Sequence, residues 1–233
     1  MQFNPDQIVY WSLAGFKLTA TLVSTWMVMA LLVLGSWLAT RRLTVTVRPG
    51  RWQNFLEALV SVIRGQIRDV THQDPDKHLW FVGTLFLFIA LSNLLVIVPG
   101  FHPPMASLST TTALALCVFV AVPVYGIGEV GLKNYLRQYL EPTPLMLPFN
   151  VIGEFSRTLA LAVRLYGNIM SGAVIGAVLI TLVPFFFPIV MQLLGLLTGF
   201  IQAYIFAILA LVYIASASVV QRERLEKQQM EEM

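Results

Sequence analysis

LALAVRLYGNIMSG, residues Leu159 to Gly172, is apolar enough to lie inside a lipid bilayer, yet carries an arginine, Arg164, near its middle. Beyond that arginine no charged residue occurs from Leu165 to Gln221. The run is too long for one crossing, because about 20 apolar residues cover a hydrocarbon core about 30 Å thick. The segment VPFFFPIV divides it, since Pro184 and Pro188 each lack an amide donor and disfavour helix in the residue before them. The expectation is therefore a long helix over 148–181 and a second over 188–221. At about 1.5 Å per residue each reaches about 50 Å, which implies steep tilt or extension into water.

Working outward, charge-free windows at 18–40, 79–101 and 107–128 supply three more spans. Between the first two lies RWQNFLEALVSVIRGQIRDV, where Trp52, Phe55, Leu56, Leu59, Ile63, Ile67 and Val70 recur at helical spacing opposite Arg51, Glu57, Arg64 and Arg68. That pattern predicts an amphipathic helix over about 51–71, lying on the membrane surface or against other helices. The chain is 57% hydrophobic and only 12% charged, far below the roughly 25% charged residues of soluble domains. The expected fold is an all-α integral membrane protein, a single membrane domain over 1–233. It has about five transmembrane helices plus a membrane-surface amphipathic helix, the last two helices long and strongly tilted. No repeat of fixed period is visible, which weakens an inverted-repeat transporter reading.

The basic residues sort by membrane side. One set of loops receives Arg41, Arg42, Arg48, Arg51, Arg64, Arg68 and Lys77, then Lys133 and Arg137, then Arg222, Arg224 and Lys227; the other receives only Lys17. The positive-inside rule places the N-terminus outside and the C-terminus in the cytoplasm. A net charge of +3 spread in this way argues against nucleic-acid binding. The tail QRERLEKQQMEEM mixes both signs and reads as a solvated helix end. Cys117, alone within an apolar run, reads as a buried inert thiol. The N-terminal MQFNPDQIVYW lacks the basic region of a cleavable signal, so the first span is expected to stay in the mature protein.

An arginine at mid-depth costs roughly 2.5 to 3.5 kcal/mol on insertion scales, so something must compensate it. A buried ion pair with Glu129 or Glu154 is one answer; a fixed charge beside an ion path is the other, and the favoured one. Arg157, Arg164, Asn168 and Ser171 follow spacings of seven, four and three, and form one polar stripe that lipid cannot satisfy. On the last helix Gln192, Gly195, Thr198, Gly199, Gln202 and Phe206 line a comparable face, with Gln202 central. Small residues and amides also suit ordinary close helix packing. Glu154 and Arg157, three apart, can pair near the cytoplasmic end or serve ion access. Asn93 reads as a helix-to-helix hydrogen bond, and His102 as a solvated loop histidine. No Walker-type phosphate loop, metal-ligand spacing or Ser/His/Asp set occurs, so neither cofactor nor metal nor catalysis by the chain alone is expected.

At GEFSRTLALAVRLYGNIMSG, residues 153–172, the sequence resembles the a subunit (subunit 6) of F-type ATP synthases, in a divergent bacterial form. SNLLVIVPG, PPMASLSTTTALAL and GFIQAYIFAILALVYIASA match in the same order and spacing. The resemblance implies a non-catalytic stator subunit of a rotary motor in the bacterial inner membrane, with two offset half-channels passing protons or sodium ions to and from a c-subunit ring. Its implied partners are that ring, b-type peripheral stalk subunits and the remaining ATP synthase subunits. Arg164 resembles the essential arginine facing the ring carboxylate, Asn168 the asparagine one turn later, Gln202 the glutamine of the last helix, and Arg157 the upstream basic residue. The sequence departs from the pattern at Ala173 and Gly195, where others carry titratable groups, and at Thr158, where proline is common. Polar side chains with water, among Ser171, Gln192 and His102, would then serve the outer half-channel. The alternative is a self-contained secondary transporter or channel with an intramembrane arginine; a purely structural membrane scaffold is a third reading.

Overall fold

The structure is a computed structural model that describes residues 9–13, 16–41, 51–71, 75–98, 100–132, 146–182 and 187–231. Six long helices occur among these residues: α1 (Ala20–Thr40), α2 (Arg51–Thr71), α3 (Asp76–Leu94), α4 (Leu108–Val130), α5 (Met146–Leu182) and α6 (Phe187–Glu231). All but α2 contain a stretch long and apolar enough to cross a membrane. The protein is therefore a helical membrane protein with five candidate spans, as the charge-free windows predict. The break at Pro184, and the basic residues Arg42, Arg48, Lys133 and Arg137, lie outside the described residues; so do the side chains of Lys17, Arg51, Trp52, Phe55, Glu129, Arg222, Arg224 and Lys227.

One element was not anticipated. Ahead of α1 the backbone forms a short antiparallel hairpin, β1 (Val9–Leu13) and β2 (Phe16–Thr19), with Leu13 opposite Phe16. Strands this short are invisible to windows tuned to about 20 apolar residues.

Helix ends follow local chemistry. The second span was expected to continue to Phe101, but α3 stops at Leu94 and tightens into one 3₁₀ turn over Leu95–Ile97. The cause is Pro99, which excludes helical backbone from the residue before it, and Val98 is accordingly extended at φ −75°, ψ 116°. α4 ends at Gly131, whose φ of 83° suits glycine and whose amide bonds the Ile127 carbonyl at 2.8 Å. Pro123 lies inside α4, a position that membrane helices tolerate because neighbouring helices re-satisfy the freed carbonyl. α5 and α6, of 37 and 45 residues, are about 55 and 68 Å long at about 1.5 Å per residue.

The core sits where α3, α4, α5 and α6 meet, around Met105, Val118, Leu165, Phe206 and Ala210. α6 is its hub, packing most extensively on α3 and also on α4 and α5. A stripe of Gly199, Ala203, Ala207 and Ala210 on α6 lets the backbones approach closely, which suits packing in a solvent as apolar as the side chains themselves. The amphipathic α2 takes the second of its two expected positions, against other helices: Ile67 is buried with Val82, Ala207 and Leu211. The Tyr204 hydroxyl donates to Gln66 Oε1 at 2.8 Å, and Arg64 pairs with Asp76 at 2.9 Å, tying α2 to α6 and α3. Cys117 corrects the sequence reading, since it lies exposed on α4. Hydropathy gives the depth of a residue in a span and not the side it faces.

Candidate functional site

Arg164 is the middle residue of α5, 18 residues from Met146 and 18 from Leu182. Its neighbours Leu161, Ala162 and Leu165 are buried in the core, whereas Arg164 itself is exposed. Among the described residues it forms no ion pair and no hydrogen bond. Glu154 is ten residues away, about 15 Å along the helix, beyond reach of a direct pair; the Glu129 side chain lies outside the described residues. At 100° per residue Arg157, Arg164, Asn168 and Ser171 fall within an arc of about 60°, flanking the buried stripe of α5.

Arg157 does not pair with Glu154, as its spacing allowed. Its guanidinium instead lies over the Tyr213 ring of α6, 5.7 Å from the centroid. Such a contact is favourable because the ring face is electron-rich, and it leaves the arginine available to other groups. This contact fixes the relative level of the two antiparallel helices. Seven residues further along α5 and seven back along α6 bring Arg164 level with Phe206; four more bring Asn168 level with Gln202. The two polar faces read from the sequence thus lie at the same depth. Tyr213 was missed by sequence reasoning, although it stands eleven residues, three turns, after Gln202 and so on the same face of α6.

Gln202 is buried, 7% exposed, and its Nε2 has no hydrogen-bond partner among the described residues. Asn168 is half-buried. Ser171 is exposed and spends its hydroxyl on the Asn168 carbonyl of its own helix, at 3.2 Å. Gln192 is exposed near the start of α6 and reaches across to the carbonyls of Val96 and Ile97, at 3.5 and 3.4 Å, capping the turn after α3. Glu154 is half-buried, and its backbone carbonyl accepts the Thr158 hydroxyl at 3.0 Å. His102 is half-buried beside the turn Pro104–Ala106. The structure thus brings Arg157, Arg164, Asn168 and Gln202 to one seam between α5 and α6. It holds Gln192 at one end against α3, and leaves Ser171 on the exposed side.

A polar seam across two long apolar helices, with one guanidinium exposed halfway along it, defines a polytopic membrane protein with a charged residue at the middle of a candidate span. The family model described as ATP synthase A chain matches residues 22–215. ATP synthase subunit a 2 of Acaryochloris marina is 58% identical over 222 residues, covering 95% of each chain. ATP synthase subunit a of Albidiferax ferrireducens is 57% identical over 218 residues, covering 94% of each. ATP synthase subunit a 1 of Chlorobaculum parvum is 56% identical over 218 residues, covering 94% of this chain and 96% of that one. The chain belongs to the ATP synthase A chain family.

Proposed function

We propose that this chain is the stator of a rotary F-type ATP synthase, providing two offset aqueous half-channels that pass protons or sodium ions to and from a ring of c subunits. The observation that carries this reading is the exposed Arg164 at the midpoint of α5, paired with no described group of its own chain. A charge in that position needs a partner from outside, and a carboxylate on a neighbouring ring satisfies it. An opposite charge within about 4 to 6 Å favours the ionised form of a carboxylate, so each ring site that passes Arg164 releases its ion. The same fixed charge opposes a cation moving straight from one half-channel to the other. Ions therefore ride the ring, and a membrane potential of about 2.3 kcal/mol per charge per 100 mV becomes torque.

Asn168 and Gln202 are the polar step beside the arginine, and Arg157 with Glu154 borders the cytoplasmic approach. Gln192, Ser171 and His102 lie toward the other side, where water between them replaces the titratable groups absent at Ala173 and Gly195. The chain itself does no bond chemistry. It is a multi-pass protein of the bacterial inner membrane, N-terminus outside and C-terminus in the cytoplasm, assembled with the c ring, b-type stalk subunits and the rest of the complex. The basic residues concentrated on one set of loops support that orientation.

The test is ATP-driven ion pumping in vesicles holding the whole complex, wild type against Arg164→Ala, each with and without sodium. Loss of pumping in a complex that still assembles supports the stator reading, and sodium dependence identifies the ion. Normal pumping by the variant makes Arg164 a packing residue and refutes it.

A further inference from the structure

Asn93 on α3 has no part in the site described above, yet it is a deeply buried polar side chain bonded across to α6. It is only 3% exposed, and its Nδ2 donates to the Gly199 carbonyl on α6 at 2.9 Å. Gly199 admits this approach because it has no side chain: a Cβ there would stand 2.9 Å from both Cβ and Cγ of Asn93. A carbonyl only accepts, so the amide of Asn93 is fixed with nitrogen toward Gly199 and oxygen away from it. That oxygen, Oδ1, is buried without a partner among the described residues, and so is Nε2 of Gln202, one turn further along α6. Within about one turn of α6, at Gly199 and at Gln202, there are therefore an acceptor and a donor with no partner among the described residues, on two side chains each more than nine-tenths buried.

Buried polar groups of this kind are costly unless satisfied, and a group that both donates and accepts satisfies the two at once. A water molecule has that chemistry; a bare cation does not, because it cannot accept from Nε2. We propose that Asn93 is a positioning residue for Gln202. It fixes the α6 backbone at Gly199 and, through one water shared with Oδ1, sets the direction in which the Gln202 amide points into the ion path. This rests on the reading that Gln202 borders that path. Without Asn93 the amide is free to turn, and each ion meets a polar step in the wrong orientation.

The test compares Asn93→Thr with Asn93→Val, alone and together with Gln202→Leu, in ATP-driven ion uptake by vesicles holding the whole complex, normalised to the amount of assembled complex. Thr and Val have nearly the same shape, so packing is shared and only the hydroxyl differs. Asn93→Val is expected to slow uptake about fivefold, the effect of one neutral hydrogen bond. Asn93→Thr should recover most of the rate, and in the Gln202→Leu background the two should be indistinguishable. If Thr and Val slow uptake equally, or if Val costs the same factor with Gln202 already replaced, Asn93 is packing alone and the proposal fails. If Gln202→Leu itself pumps at the wild-type rate, the reading of Gln202 falls and takes this proposal with it.

Discussion

Replacing Gly199 by alanine probes the close approach of α3 to α6. The added Cβ would stand 2.9 Å from Cβ and Cγ of Asn93 and 3.1 Å from its Nδ2. Carbon atoms in contact prefer about 3.5 to 4.0 Å, so α3 and α6 must separate by roughly 0.6 to 1 Å, or the asparagine must turn aside. Separation loosens the seam around Ala203, Phe206 and Ala207; overpacking of this kind costs about 1 to 3 kcal/mol. Turning aside breaks the 2.9 Å hydrogen bond, and interhelical bonds in membranes average about 0.6 kcal/mol. It also leaves the buried amide nitrogen of Asn93 unsatisfied, while the Gly199 carbonyl keeps its bond within α6, and this raises the cost toward about 2 kcal/mol. Against either route stands the helix preference of alanine over glycine, about 1 kcal/mol. The clash wins, by about 1 kcal/mol. Gly195, one turn earlier on α6, is the internal control, because nothing lies within 4 Å of a Cβ built there. Gly195→Ala should therefore keep the propensity gain. The assay is unfolding of the purified chain in mild-detergent micelles by rising mole fraction of dodecyl sulfate, followed by far-ultraviolet circular dichroism. Gly199→Ala should unfold at a lower fraction than wild type, and Gly195→Ala at the same or a higher one. A Gly199→Ala protein as stable as Gly195→Ala would refute the clash.

Two neighbours on α5 should behave in opposite ways in the same assay. Leu165→Ala, at a fully buried site, should cost about 2 to 4 kcal/mol, whereas exposed Arg164→Ala should leave the midpoint unchanged or raise it. At the Arg157 end of the seam, Tyr213→Leu should lose about 0.5 to 1 kcal/mol of cation–π attraction while Tyr213→Phe keeps it, and Arg157→Gln should erase the difference between them.

Much of this architecture was readable because membrane helices announce themselves by what they lack. The windows at 18–40 and 107–128, free of charge, locate α1 and α4 to within a few residues, since a charged side chain in hydrocarbon is expensive. The stripe on α5 was equally readable, as helical spacing alone puts Arg157, Arg164 and Asn168 on one arc. What the sequence withheld is facing. Cys117 and Met105 both sit in uncharged stretches, yet one is exposed and the other fully buried. In water the apolar side of a helix points inward; in lipid both sides are apolar, and only packing decides. The partnership of Arg157 with Tyr213 rather than Glu154 was hidden for a related reason: spacing shows neighbours on one helix and says nothing of a ring on the next. Asn93 was read correctly as a helix-to-helix bond, but Gly199 as its partner required the fold.

The bare guanidinium at the centre of α5 also bears on how this protein comes to exist. A newly made chain that enters the bilayer alone carries a charge that no described residue of its own fold meets, so biosynthesis leaves it in an unfinished condition. Its lifetime in that condition should be short, ended either by incorporation into a complex or by the proteases that clear orphan subunits. On the proposed reading, the residue that meets the ring in the complex then doubles as a mark of incompleteness, by which a cell can tell an unassembled copy from an assembled one.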